Sequence, residues 1–165
     1  MISDYFGRDW RDEMKLSTKG RYGLRAIVDI AVFAETEPAA VSAISERQDI
    51  SIRYLEQLLS KLRKAGLVRS IRGAQGGYVL SRSAKEISVG DVLRALEGDL
   101  TPVDCTELTD TEETCSSSKY CVTKTVWKRI NDSIAKTVDA IYLSELADEA
   151  KAVQQGKPAE RKCER

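Results

Sequence analysis

Apolar residues recur at helical spacing behind Ser17 and Thr18, either of which can cap a helix to about Glu35 with Tyr22, Ala26, Ile30 and Phe33 among its spaced positions. Pro38 closes the connection, and a short helix is expected from Ser42 to Gln48 with Ser42 as its cap. Ser51 then caps a helix from Ile52 to Lys64, in which Leu55, Leu58, Leu59 and Leu62 form an i, i+3, i+4, i+7 stripe, and Gly66 reads as its stop. Two strand-like runs, Leu67 to Ile71 and Tyr78 to Leu80, flank Arg72-Gly73-Ala74-Gln75-Gly76-Gly77, whose glycines tolerate the positive φ of a hairpin turn. Ser88 opens a fourth helix ending near Gly98, with Val89, Val92, Leu93 and Leu96 on one side. Periodicity is lost from Asp99 to Cys121. It resumes at Thr123, where Val126, Trp127, Ile130, Ile134, Val138 and Ile141 fall within an arc of about 120°, a helix of roughly five turns. Ser144 is expected to cap a last helix to about Gln154.

Helix, short helix, helix, hairpin is the order of a winged helix-turn-helix. The expected fold is therefore mainly α, with a DNA-binding domain over 14–98 that carries a small β-hairpin wing. A cysteine-containing loop follows over 99–121, then the long helix and the terminal helix over 122–154, and a charged tail over 155–165. Residues 1–13 carry no pattern and read as a leader or tag, or an alternative start ahead of Met14.

A chain of 165 residues has room for one compact domain and an appendage, and 42% hydrophobic with 32% charged residues is a globular balance. No run approaches the roughly 20 apolar residues that span a bilayer. The first 13 residues lack the apolar centre of a signal peptide, so the expected location is the reducing cytoplasm. Histidine is absent, which removes His-based triads and His-ligated zinc. With no nucleophile-base pair and no phosphate-binding glycine loop, catalysis is disfavoured. The charges sum to zero, 26 of each sign, yet they are segregated. Lys15 to Arg82 holds 12 Lys and Arg against 6 Asp and Glu, whereas Glu86 to Cys115 holds 1 against 9. A basic block of that kind suits a polyanionic partner.

The major groove accepts one α-helix that buries one face in its domain and offers donors and acceptors on the other. In residues 51–64, Arg53 and Gln57 suit guanine or adenine edges, and Lys61 or Lys64 suit phosphates. Glu56 faces repulsion from phosphates unless it accepts from cytosine N4 or rejects wrong sites. Arg72 at the hairpin tip suits a narrow minor groove. An ordinary amphipathic helix with a solvated face is the competing reading; the adjoining hairpin and the basic excess favour the groove.

Cys105, Cys115 and Cys121 follow a C-x9-C-x5-C spacing in the aperiodic loop, and Cys163 stands apart in the tail. Thiolates hold iron-sulfur clusters, and a loop can wrap one. Zinc binding, redox chemistry and incidental reduced thiols remain alternatives on spacing alone. Asp99, Asp104, Glu107, Asp110, Glu112 and Glu113 give this loop a negative field that does nothing for an anionic cluster; solvating the loop is their simpler role, and ligation of iron by one of them is the alternative.

Long ordered motifs carry a resemblance: MKLSTKGRYGLRA from Met14, ISIRYLEQL from Ile50, LRKAGLV from Leu62 and RGAQGGYVL from Arg72. Over residues 14 to about 148 the chain resembles the bacterial winged-helix regulators of the IscR-like family, which includes IscR, NsrR and CymR. The resemblance implies a homodimer on a partly palindromic double-stranded DNA operator, acting as a repressor. Reading residues would fall on Ser51, Arg53, Tyr54, Glu56 and Gln57, with a wing contact at Arg72 and Gly73. It also implies that the helix over 123–142 packs against its twofold mate. A cluster, 2Fe-2S on the family pattern, would take Cys105, Cys115 and Cys121 as ligands. Two departures stand out: the first cysteine gap is longer than the family's, and Lys124 stands where IscR-type members have a histidine. The fourth ligand is therefore unassigned, and the position matching the NsrR-type aspartate is Arg21. The alternative is a cluster-free regulator of sulfur metabolism of the CymR kind, controlled by a partner protein or thiol oxidation. A thiol-redox or metal-carrier protein with the helix-turn-helix as scaffold is the rival from another class.

Overall fold

The computed structural model describes residues 17–34, 37–103 and 121–156; the expected leader and tail, and Cys105, Cys115 and Cys163, lie outside them. The first helix, α1 (Thr18–Phe33), buries Ala26, Ile27 and Ile30, and Ser17 caps it by accepting the Lys19 N–H at 3.1 Å. A carboxylate closes the same end. The carboxylate of Glu97, at the end of α4 (Val89–Glu97), accepts the Gly20 N–H at 2.7 Å and the Ser17 hydroxyl, which sets negative charge at the positive pole of the helix. Gly20 and Gly23 permit this approach, since a Cβ on Gly23 would lie 2.2 Å from Leu96 Cδ1.

Helix α2 (Val41–Gln48) is joined to α3 (Ile52–Lys64) by a tight turn in which Asp49 takes a left-handed conformation (φ 52°), tolerable for a short polar residue. Ile50 is buried within the turn. A buried carboxylate fixes α2 on α1: Asp29 accepts from Arg47 Nε at 2.9 Å, Arg47 Nη2 at 2.6 Å and Gln48 Nε2 at 2.9 Å, and the Arg47 guanidinium also covers the Phe33 ring at 4.2 Å. The core then closes around the leucine stripe of α3, with Leu55, Leu58, Leu59 and Leu62 at no more than 1% exposure.

Past Gly66 (φ 72°) the chain forms an antiparallel hairpin, β1 (Val68–Ile71) and β2 (Gly77–Leu80), with Val68 opposite Leu80 and Ser70 opposite Tyr78. Ala39 adds an isolated bridge on the other side of β2 by exchanging two 2.9 Å hydrogen bonds with Tyr78, and Gly77 makes room for it, because a Cβ there would meet the Ala39 carbonyl oxygen at 2.3 Å. A 3-10 turn (Ala84–Glu86) leads to α4, whose Ser88 and Asp91 form a reciprocal capping box.

The C-terminal pair is α5 (Lys124–Asp139) and α6 (Leu143–Gln154). Between them the backbone pairs with the start of α4: Val89 N–H donates to Ile141 at 2.8 Å and Leu143 N–H donates to Ile87 at 3.0 Å. Arg94 grips Asp139 with two hydrogen bonds of 2.7 and 2.9 Å, and this pair lowers the Asp139 carboxyl below its ordinary value. Gly90 leaves the space for it. No helix among the described residues is long and apolar enough to cross a membrane.

The winged helix-turn-helix stands as expected, with local corrections. Ser42 and Ser144 are not caps: α2 begins at Val41 after Ala40, and α6 begins at Leu143 after Tyr142, whose N–H is accepted by Glu145. Ser51 holds the N-cap position of α3 but makes no capping hydrogen bond with its side chain. Ile141 lies beyond α5, because its carbonyl is taken by the bridge to Val89.

Asp29→Ala is expected to cost about 1–3 kcal/mol, since it strips the hydrogen bonds that seat α2. Urea unfolding followed by circular dichroism measures the loss, and an unchanged midpoint would show that α2 is held by packing alone.

Candidate nucleic-acid interface

Because one stripe of α3 is committed to the core, the rest of its surface is fixed in direction. Ser51, Arg53, Glu56, Gln57 and Lys64 are all exposed, and Ser60 is half-buried among them. The Ser51 hydroxyl, free of capping duty, is left to face outward with them. The expected reading residues are thus brought together over the first two turns of one helix, where recognition helices contact base edges.

Tyr54 takes a different position. It is half-buried and packs edge-on against Tyr22, with ring centroids 6.1 Å apart at 89°, and Arg25 lies over the far ring at 5.5 Å. Arg25 also donates through Nε to Gln48 Oε1 at 3.2 Å. This Tyr54–Tyr22–Arg25–Gln48 chain ties the start of α3 to α1 and α2. Lys61 also has a partner within the fold. Its ammonium donates to the Leu96 carbonyl at 3.0 Å, where a cation meets the negative end of α4, so it helps hold α3 against α4 while the residue stays exposed.

Arg72 and Gly73 open the exposed turn of the hairpin. Gly73 has φ 121°, which side chains rarely adopt, and its carbonyl accepts the Gly76 N–H at 3.0 Å to close the turn. The wing therefore presents Arg72 from a turn shaped by glycine.

Asp29 and Arg47 were missing from the sequence reading, although a lone acid within the apolar face of α1 was a usable signal. The Arg94–Asp139 grip had none, because its partners lie 45 residues apart.

Of the three expected cluster ligands, Cys121 falls within the described residues, and among these no group of three or more metal-ligating side chains gathers. Its Sγ lies 3.2 Å from Thr123 Oγ1, just ahead of α5. The Thr123 hydroxyl lowers the Cys121 thiol below its ordinary pKa, with help from the Thr123 and Lys124 backbone N–H groups and the Lys124 charge. Thiolate is the form that ligates metal, so this residue fits the donor chemistry of an iron-sulfur site.

The family model described as "Rrf2: Iron-dependent Transcriptional regulator" matches residues 16–149. The chain is 42% identical over 135 residues to the HTH-type transcriptional regulator IscR of Pectobacterium carotovorum subsp. carotovorum (strain PC1), covering 82% of this chain and 80% of the relative. It is 44% identical over 133 residues to IscR of Aliivibrio salmonicida (strain LFI1238), covering 81% and 77%. Among solved structures, T. potens IscR is similar with a TM-score of 0.68 and 42% identity, over 86% of this chain and 91% of that one. CymR, titled the global cysteine regulator of B. subtilis, is similar with a TM-score of 0.66 and 41% identity, over 82% and 97%.

Thr123→Val is expected to raise the pH at which Cys121 becomes reactive. The native thiol titrates below its ordinary value, and the substitution removes the largest cause of that depression. Site-resolved alkylation by iodoacetamide across a pH series, read by mass spectrometry, checks it; superimposable profiles would contradict it.

Proposed function

This chain belongs to the Rrf2 family of transcriptional regulators, and we propose that it is a homodimeric repressor that binds a partly palindromic DNA operator and responds to an iron-sulfur cluster in its cysteine loop. Its relatives are regulators, and it is a DNA-binding regulator of the IscR type, not an enzyme. The observation that carries the proposal is the polar row of Ser51, Arg53, Glu56 and Gln57, exposed on a helix whose opposite face is locked in the core.

In this reading α3 enters the major groove, where Arg53 and Gln57 meet purine edges and Glu56 selects cytosine or repels other sites. Arg72 and Gly73 follow the backbone into the minor groove. Two copies, paired through the apolar row of α5, place two such heads on one duplex. Cys105, Cys115 and Cys121 would hold the cluster, 2Fe-2S by family pattern, with the fourth ligand unassigned. When bound, the group would supply a redox- and iron-sensitive brace for the loop that precedes α5. Its differential affinity for two dimer geometries would then shift operator affinity by linkage. The protein would work in the cytoplasm.

Two features favour a second reading, a cluster-free regulator like CymR answering to a partner protein or thiol oxidation. The structural likeness to CymR is nearly as close as that to IscR, and Lys124 replaces the family's histidine.

Arg53→Ala is expected to weaken specific operator binding by about 1–3 kcal/mol, as for loss of one bidentate base contact. Lys61→Met is expected to leave the salt dependence of binding unchanged, since its ammonium is already engaged by Leu96. Fluorescence anisotropy across a potassium chloride series measures both, and a shallower slope for Lys61→Met would return that residue to the phosphate contacts.

Anaerobically purified protein is expected to carry iron and sulfide, and Cys121→Ala is expected to lose both and to change operator affinity. Colourless, iron-free native protein whose operator binding is unaffected by replacing the three loop cysteines would leave the CymR-like reading standing.

A further inference from the structure

Among the described residues, the exposed large apolar side chains occupy distinct settings. Phe33 lies under the Arg47 guanidinium, Val122 and Val126 flank the start of α5, and Tyr142 and Val153 belong to the C-terminal region. Ile52 is different. It is 48% exposed, it is the first residue of α3, and its surroundings on that helix are the exposed Ser51, Arg53 and Glu56. A single exposed apolar side chain is ordinary on a free surface. On a helix end that enters a groove it becomes a selective element, because nearly everything it can meet there is a donor or an acceptor.

The major-groove edge offers one methyl group, the 5-methyl of thymine. An isoleucine pressed against a cytosine or adenine amine, or a guanine oxygen, would leave that polar group without a partner, a penalty that rejects those bases. Against a thymine methyl, both apolar surfaces leave water together. We propose that Ile52 is a specificity-determining residue that reads the methyl group of one thymine in each half of the operator; this rests on α3 being the groove-entering helix. The geometry adds a positional constraint. Ile52 and Glu56 are four residues apart and therefore neighbours on one helix face, so the thymine lies within a step or two of the base opposite Glu56.

Uracil differs from thymine only by lacking that methyl, which gives a direct test. The full chain selects its operator from a randomised duplex pool, and anisotropy titrations then compare duplexes carrying uracil in place of each thymine in turn. For the native protein, uracil at one thymine per half-site is expected to weaken binding about three- to fivefold, the size expected for one methyl-sized apolar group returned to water. Ile52→Val keeps that sensitivity. Ile52→Ala binds the thymine duplex more weakly by a similar factor and no longer distinguishes uracil from thymine. Because Ile52 is half exposed, these variants are expected to keep the native unfolding midpoint, and circular dichroism confirms it. The proposal is overturned if the native protein is indifferent to every uracil, if the selected half-site contains no thymine, or if Ile52→Ala discriminates as the native protein does. A pool that does not enrich at all overturns the DNA-reading function itself, and the role of Ile52 with it.

Discussion

Burial of four leucines on α3 is the constraint from which the rest of the interface follows. Leu55, Leu58, Leu59 and Leu62 together withdraw one face of the helix from water, and at about 1.5–3 kcal/mol for each fully buried leucine no competing rotation of the helix is affordable. Helical geometry then directs Arg53, Glu56 and Gln57 outward without any further device. The polar side chains proposed to read DNA need no preorganising partner of their own, because the apolar ones have already chosen their direction. What remains is to hold the two ends of α3, and the structure does so with different chemistry at each. Aromatic packing of Tyr54 on Tyr22 fixes the N-terminal end, and the Lys61 ammonium on the Leu96 carbonyl fixes the other.

Helix α4 emerges as the hub. Its last residues cap α1 through Glu97 and hold α3 through the Leu96 carbonyl, while Arg94 takes Asp139 at the end of α5. Three helices therefore meet on little more than one turn. A displacement of α5 that pulled on Arg94 would act on the same short segment that seats α3 and α1. That is a physical connection between the part of the chain beginning at Cys121 and the helix proposed to read DNA, and its strength depends on whether α4 has a second stable position.

Much of this was legible in the sequence, and the reason is periodicity. The leucine stripe of α3 and the glycine-rich turn at Arg72–Gly77 are local patterns, and each gave its element within a residue or two. Helix starts were harder. Ser17 and Ser88 cap as read and Ser51 holds the N-cap position, but at Ser42 and Ser144 the helix starts one residue earlier, at Val41 and Leu143. Lys61 illustrates a deeper limit. By sequence it stood at the edge of the polar face, and nothing local revealed that the C-terminal carbonyls of α4, 35 residues on, would claim its charge. The Asp29–Arg47 network and the bridge at Ala39 are equally non-local.

The remaining imbalance lies in α5. Trp127, Ile130, Ile134 and Val138 recur on one side of a 16-residue helix, yet none of its side chains is buried within one chain. A helix of that length is marginal by itself, since nucleation is costly and most helical stability comes from packing an apolar face. Among the described residues, its ties to the rest of the chain include the Arg94–Asp139 pair, which is exposed and screened by solvent, and the backbone bridge beyond its C-terminal end. The apolar row itself stays half-buried. The row's continuity, four residues at helical spacing with polar residues behind them, suits a self-complementary surface, and a twofold pairing would bury it on both copies at once. In the proposed function, dimerisation is thus a condition for α5 to be stably helical as well as the means of presenting two reading heads. A signal that loosens the start of α5 at Cys121 would then act on the dimer and on DNA affinity by the same route.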